Sequence, residues 1–291
     1  MPSPPSIANN TPKLPVFYND NQTVRDNVSF SQSARKPEQF VARHRDNSKV
    51  EIISDWQPLT PDELASVHDP AHVNAVLAGT ARNGFGNTLA SVAASLPWTN
   101  GSFYRAAQHA FKHRTVAMSP TSGFHHAGYR TSEGFCTFNG LMVAAALLHK
   151  NEGVRRVGII DFDAHYGNGT DDIIDTLKID YIEHESFGAY AGPKMVFYFW
   201  LVELENRLMD KFKNCDILFY QAGADPHIND ILGGFLTTLQ MELRDRIVFM
   251  VAKRLNLPIV WNLAGGYQSP FEDTMRLHDN TMDACLMTFY R

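Results

Sequence analysis

The stretch IIDFDAHYGNGTDDI, residues 159–173, begins as one kind of structure and ends as another. Its first residues continue an apolar run from Val157 to Phe162 that suits a strand covered on both faces. After an acidic, glycine-containing turn, residues 171–177 have a helical pattern. The same alternation recurs along the second half of the chain. Apolar runs at 114–119, 157–162, 179–183, 217–221 and 259–263 read as strands, and segments around 139–150, 171–177, 194–212 and 238–255 read as helices. Strands alternating with helices predict βαβ crossovers, hence an α/β fold with a parallel sheet flanked by helices on both faces. Upstream, 15–20 and 50–56 look like short strands with a helix over 37–46 between them. Thr60, Pro61, Asp62 and Glu63 form a capping box with proline at the first helical position. Helices are expected over 71–78, with Gly79 as its stop, and over 102–113; residues 83–100, rich in Gly, Asn, Ser and Pro, read as a long loop. Residues 1–14 contain four prolines and read as a disordered arm, which leaves 15–291 as a single domain without internal repeats.

Of 291 residues, 44% are hydrophobic and 20% charged, enough apolar surface for a large core and too much for a disordered chain. Thirty-one acids against twenty-six bases leave a net charge of −5 without a basic block, which argues against nucleic acid as a partner. Three widely spaced cysteines make neither a disulfide framework nor a CxxC zinc site. The N-terminus lacks the charged and apolar regions of a signal peptide, and the apolar runs 141–148 and 195–202 are far short of the ~20 residues of a membrane span. A cytoplasmic protein without a membrane partner is the expectation.

In open α/β sheets, ligands bind beyond the carboxyl ends of the strands. Gly123, Phe124, His125 and His126 follow the strand at 114–119. Asp161, Asp163 and His165 lie at the end of the next; Asp225, His227 and Asp230 follow the fourth, and Gly265, Gly266 and Tyr267 the fifth. Asp163 and His165, two apart, can face one way, and with a distant acid they would form a three-ligand metal site open to water. Asp225 is nearer its strand end than Asp230 and is favoured as that acid. Taken alone, an Asp-x-His is a common strand terminus, two histidines are a common loop and Gly-Gly-Tyr is a common turn. Their convergence on one sheet edge is what points to a site. His125 and His126 offer a base and an electrostatic partner, with Asp161 and Asn168 as candidates to orient them. Gly265 and Gly266 would let backbone approach a ligand, and Tyr267 could donate to a developing oxyanion.

Four blocks then stand in order: SGFHHAGYRTSEGFCTFN (122–139), IIDFDAHYGNGTDDI (159–173), QAGADPHINDILGG (221–234) and NLAGGY (262–267). Together with LTPDELASVHDPAHVNAVL (59–77) they resemble the histone deacetylase and acetylpolyamine amidohydrolase superfamily, over roughly residues 15–270. The resemblance implies an arginase-like fold and a zinc-dependent amidohydrolase that removes acetyl or other acyl groups from lysine-like amines. It makes Asp163, His165 and Asp225 the Zn2+ ligands, His126 the general base with His125 its electrostatic neighbour, and Asp161 and Asn168 the residues that orient His125 and His126. Tyr267 would polarise the scissile carbonyl. Gly134, Phe135 and Tyr190 would wall a tunnel for the acyl-lysine stem, with Gly265 beside the substrate. A K+ ion beside the zinc is implied through groups matching Asp161, Asp163 and His165. Two oxygen donors and one nitrogen donor keep Fe2+ open as the metal. The chain departs from the family pattern in having Asn168 where many class I members have Asp, Ile231 and Ala264 in place of a common proline and a common glycine or glutamate, and a short, apolar segment over 185–215. Acetylated polyamine and small amides are the alternative substrates, and a catalytically silent acyl-lysine binding module is the alternative of another class. A two-manganese, arginase-like reading would need additional bridging ligands after His165, where the chain runs on as Tyr166, Gly167 and Asn168.

Overall fold

Short apolar segments far apart in the chain lie side by side in the computed structural model, which describes residues 12–190 and 194–290. In chain order the strands are β1 (Leu14–Phe17), β2 (Val50–Ile53), β3 (Val116–Met118), β4 (Val157–Asp161), β5 (Ile182–Ser186), β6 (Ile217–Gly223) and β7 (Ile259–Ala264). They form one sheet in the order β2-β1-β3-β7-β6-β4-β5, with every pairing parallel. The helices are α1 (Lys36–His44), α2 (Pro61–Leu64), α3 (Pro70–Leu77), α4 (Ala90–His113), α5 (Gly140–Glu152), α6 (Asn168–Leu177), α7 (Lys194–Phe212), α8 (Thr238–Arg254) and α9 (Phe271–Phe289).

Alternate strand residues point to opposite faces, and each face has its own core. Leu218 and Tyr220 of β6, Trp261 of β7 and Ile160 of β4 pack with α1, α7, α8 and α9. Ile217 and Phe219 of β6, Val260 of β7 and Val157 and Ile159 of β4 pack with α2 to α6. This single α/β domain, sheet between two helical layers, is the architecture expected from the alternating pattern. No described helix is long and apolar enough to cross a membrane.

The structure corrects the sequence reading in four places. Residues 83–100 are not one long loop, because α4 starts at Ala90 and continues through Pro97 and Gly101. Burial of Val92, Ala93 and Leu96 outweighs the weak helix propensity of this stretch. The Pro97 carbonyl accepts from Leu59 N at 3.1 Å, and Gly101 leaves room for Trp56, whose ring would lie 3.0 Å from a Cβ at that position. Strand β5 begins at Ile182 rather than 179, since Lys178 turns left-handed (φ 55°) and Ile179 N bonds back to Ile174 O to close α6. Helix α9 was not expected at all: its buried face includes Thr274, His278 and Thr281, which break up the apolar period. Finally, the expected arm lies outside the described residues up to residue 11, and Leu14 already belongs to β1.

Phe219 is fully buried and meets Phe103 of α4 edge-on, with ring centroids 5.2 Å apart. Phe219→Ala is expected to cost about 3–5 kcal/mol. Urea unfolding should show a lower midpoint at an unchanged slope; a midpoint equal to wild type would mean that the sheet–α4 layer does not carry the core assigned to it.

Candidate active site

Four adjacent strands, β3, β7, β6 and β4, end along one edge of the sheet, and each sends chemistry-capable residues into the same space. Asp161 is the last residue of β4 and is fully buried. Its Oδ1 accepts from Gln221 Nε2 at 2.9 Å, and its Oδ2 accepts from His125 Nδ1 at 2.7 Å. The chain then turns so that His165 N donates to Asp163 Oδ1 at 3.0 Å and Ala164 N to the Asp225 carboxylate at 3.2 Å. Asp225 lies just past β6. Gly265, just past β7, is left-handed (φ +52°), and a Cβ there would overlap the Asp225 carboxylate, so the chain can leave β7 by this route only with glycine.

Asp163, His165 and Asp225 each offer a donor atom, all within 4.8 Å of one another. His165 Nδ1 is 3.0 Å from Asp163 Oδ1 and 2.9 Å from Asp225 Oδ2. Two buried carboxylates and one imidazole aimed at one point form a set that fits a divalent cation. Their protonation tendencies agree. Burial, then the charge of Asp163, pushes Asp225 up to about 8. Hydrogen bonds to Asp163 and Asp225 push His165 up to about 10 against burial. Asp163 is held below the usual carboxylate range: burial opposes this, but the charge of His125 and the bond from His165 prevail. A metal-free site therefore retains protons that a cation would displace.

The two histidines after β3 are pulled in opposite directions. Their rings are 4.0 Å apart, and the His126 ring is 5.9 Å from that of His165. His125 is buried with Nδ1 on Asp161 and Nε2 3.6 Å from Asp163 Oδ1. Burial opposes its charge, yet Asp161 and Asp163 raise it to about 9. His126 is lowered by burial and by the charge of His125. Its Nδ1 donates to Asn168 Oδ1 at 2.6 Å.

Ser122, His125, Gly134, Phe135, Gly265 and Tyr267 line a narrow slot that also touches Asp163. Phe135 and Tyr267 have ring centroids 5.6 Å apart, and Phe30 stacks on Tyr267 from outside at 5.9 Å. Burial raises the Tyr267 phenol well above its ordinary value, so it stays a donor. Asp230 turns its carboxylate to Tyr267 N at 2.6 Å, a bond that anchors this turn. The Tyr190 side chain lies outside the described residues; its backbone closes a short 3-10 turn, Phe187–Tyr190.

Sequence reasoning missed several participants. Gln221 ties Asp161 to the loop after β3, accepting from Phe124 N at 2.9 Å. Buried Lys36 donates to Leu263 O at 3.1 Å and to Gly265 O. His184 lies between Asp171 (2.7 Å) and Asp161 (3.9 Å).

The histone deacetylase domain family matches residues 32–184, just over half of the chain. An uncharacterised protein of the cyanobacterium Picosynechococcus is 28% identical over 253 residues, covering 77% of this chain and 82% of that protein. Chloroplastic histone deacetylase 10 of Oryza sativa is 26% identical over 82% of this chain, which spans 65% of the rice protein's length. In fold, the acetylpolyamine aminohydrolase of Burkholderia pseudomallei superposes with a TM-score of 0.76 at 15% identity, covering 95% of this chain and 100% of that one.

Asp225, His125 and His165 all have native pKa values raised above their unfolded ones, so each contributes less stability as pH rises through the gap. Metal-free protein should therefore lose thermal stability between pH 5 and pH 9, and saturating divalent metal should flatten the profile. Asp225→Asn should remove part of the slope and lower metal stoichiometry after dialysis. Full metal retention in that variant would dismiss Asp225 as a ligand.

Proposed function

The chain belongs to the histone deacetylase family, and from that membership we propose that it hydrolyses acylated amines of the lysine type, with a divalent metal held by Asp163, His165 and Asp225. One observation carries the proposal: a neutral-leaning and a charge-leaning histidine stand 4.0 Å apart beside a metal-capable trio, the first with its ring 5.9 Å from that of His165 and the second with Nε2 3.6 Å from Asp163. Pairs of titratable groups tuned apart are how acid and base roles are divided in an active site. Zinc suits the donor set, with iron(II) the alternative. When bound, the ion would polarise the amide carbonyl and lower the pKa of a water molecule.

The protein groups divide the remaining work. His126 Nε2, with Nδ1–H committed to Asn168, takes the proton of the attacking water and returns it to the leaving amine nitrogen. His125, kept cationic by Asp161 and Asp163, balances negative charge as it builds and holds His126 neutral. The Tyr267 hydroxyl donates to the carbonyl oxygen as it becomes an oxyanion. Phe135 and Tyr267 offer aromatic walls for an alkyl stem. Phe30, exposed on the outer side of Tyr267, gives the mouth an apolar flank that supports an acyl-lysine ahead of a second ammonium group of a polyamine.

Metal-loaded protein given acetyl-lysine peptide, acetylputrescine and trifluoroacetyl-lysine in competition should favour the lysine substrates. Preference for acetylputrescine would move the substrate class, and turnover of none of the three would overturn the activity. Tyr267→Phe should lower turnover by about 100- to 1,000-fold, the usual effect of losing one oxyanion donor. Metal content should be unchanged and KM should move far less. Wild-type turnover in this variant would dismiss the oxyanion role.

A further inference from the structure

We propose that Glu133 is a positioning residue that decides which nitrogen of His126 is free to act as base. The proposal rests on the reading of His126 as the base and deepens it. Asn168 Oδ1 lies 2.6 Å from His126 Nδ1, and its Nδ2 lies 2.6 Å from Glu133 Oε1. An amide alone is a poor guide to a histidine, because a half-turn exchanges its acceptor for its donor. Glu133 removes that freedom. A carboxylate only accepts, so the NH2 end of Asn168 must face Glu133 and the oxygen must face His126. The oxygen in turn demands a hydrogen on Nδ1, and in a neutral imidazole this leaves the lone pair on Nε2. The polarity of two hydrogen bonds thus carries information from a surface carboxylate to the reacting nitrogen.

The local backbone is built to hold this chain. Glu133 and Cys136 exchange backbone hydrogen bonds of 3.0 and 2.8 Å across a tight turn, in which Gly134 and Phe135 are left-handed (φ +55° and +64°). Phe135 N bonds to Gly84 O at 3.0 Å, which ties the turn to the loop before α4. In the same turn Gly134 lies flat on His126, where a Cβ would overlap the imidazole ring. One turn therefore touches the base twice, by its backbone at the ring and by the Glu133 side chain through Asn168. Glu133 also supplies, one bond away, the negative charge that Asn168 lacks as an amide.

Glu133 and Asn168 are exposed, so water competes and the effect is that of one solvent-accessible hydrogen bond, about three- to tenfold. In the zinc-loaded protein on an acetyl-lysine peptide, Glu133→Ala should lower kcat by that factor with KM within about twofold. Glu133→Gln, which can accept from Nδ2 but can also donate to Oδ1 after a half-turn, should fall between the wild type and Glu133→Ala. The decisive variant is Asn168→Asp, which accepts from Nδ1 whichever way it turns and places a second carboxylate against Glu133. Glu133→Ala should then be beneficial in the Asn168→Asp background and harmful in the wild-type one. An equal loss in both backgrounds, or no loss in Glu133→Ala alone, would overturn the proposal. Nitrogen-15 NMR of histidine-labelled, metal-free protein reads the tautomer without turnover: His126 should carry its proton on Nδ1 in wild type and become mixed in Glu133→Ala. Should wild type turn over no acyl-lysine at all, the activity reading fails, while an unchanged tautomer in Glu133→Ala would separately refute the positioning role.

Discussion

Three buried carboxylates, Asp163 and Asp225 of the metal-capable trio and Asp161 joined to Asp163 through His125, are the constraint to which the rest of this edge is fitted. Each buried charge costs several kcal/mol unless it is met by partners of opposite sign and hydrogen-bond donors. The fold meets that cost locally. His125 bridges Asp161 and Asp163, Gln221 and the Asp163 backbone N–H donate to Asp161, the Ala164 N–H donates to Asp225, and His165 sits between two acids. What remains unbalanced lies on Asp163 and Asp225, where a cation fits. Lys36 stands close by but spends its protons on the carbonyls of Leu263 and Gly265, and burial lowers it to about 8 against the charges of Asp225, Asp163 and Asp230. It steadies the end of β7 and does not compete for the acids.

The same constraint explains how two neighbouring residues of one type acquire different roles. Nothing intrinsic distinguishes His125 from His126. The first reaches inward to the acids and stays charged. The second turns to Asn168, desolvated and beside a cation, and its charged form is disfavoured. The roles proposed for them thus follow from which way each ring turns after β3, and those directions are set by Asp161 on one side and by Asn168 and Gly134 on the other.

The parts of the site legible in the sequence were those written as short-range patterns. Asp161, Asp163 and His165 fall at the end of an apolar strand run, and Tyr267 follows two glycines, so position along the chain alone placed them at the sheet edge. What could not be read is long-range. Lys36 meets carbonyls 227 and 229 residues away, and Gln221 looks like any polar residue in a strand until Asp161 is beside it. Glu133 borders a glycine turn, and its partner Asn168 stands 35 residues on. Helix α9 was hidden for a related reason: its inward face is partly polar, with Thr281 bonded to buried Asp245, so periodicity in hydrophobicity was too weak to reveal it. For α4 the tertiary burial of Val92 and Leu96 overrode a loop-like composition that includes Pro97.

Strand β7 is the last strand in the chain and yet lies at the middle of the sheet, between β3 and β6. During synthesis, a nascent chain that has not delivered residues 259–264 cannot close the sheet, because the half carrying β1, β2 and β3 has no neighbour on the half carrying β4, β5 and β6. The loop bearing His125 and His126 belongs to the first half, and Asp163, His165 and Asp225 to the second. Until then, direct ties between the two groups are bonds such as those of Gln221 to Phe124 N and of Asp161 to His125. The backbone that frames this edge is therefore completed by a single six-residue strand, the last of the seven to be synthesised.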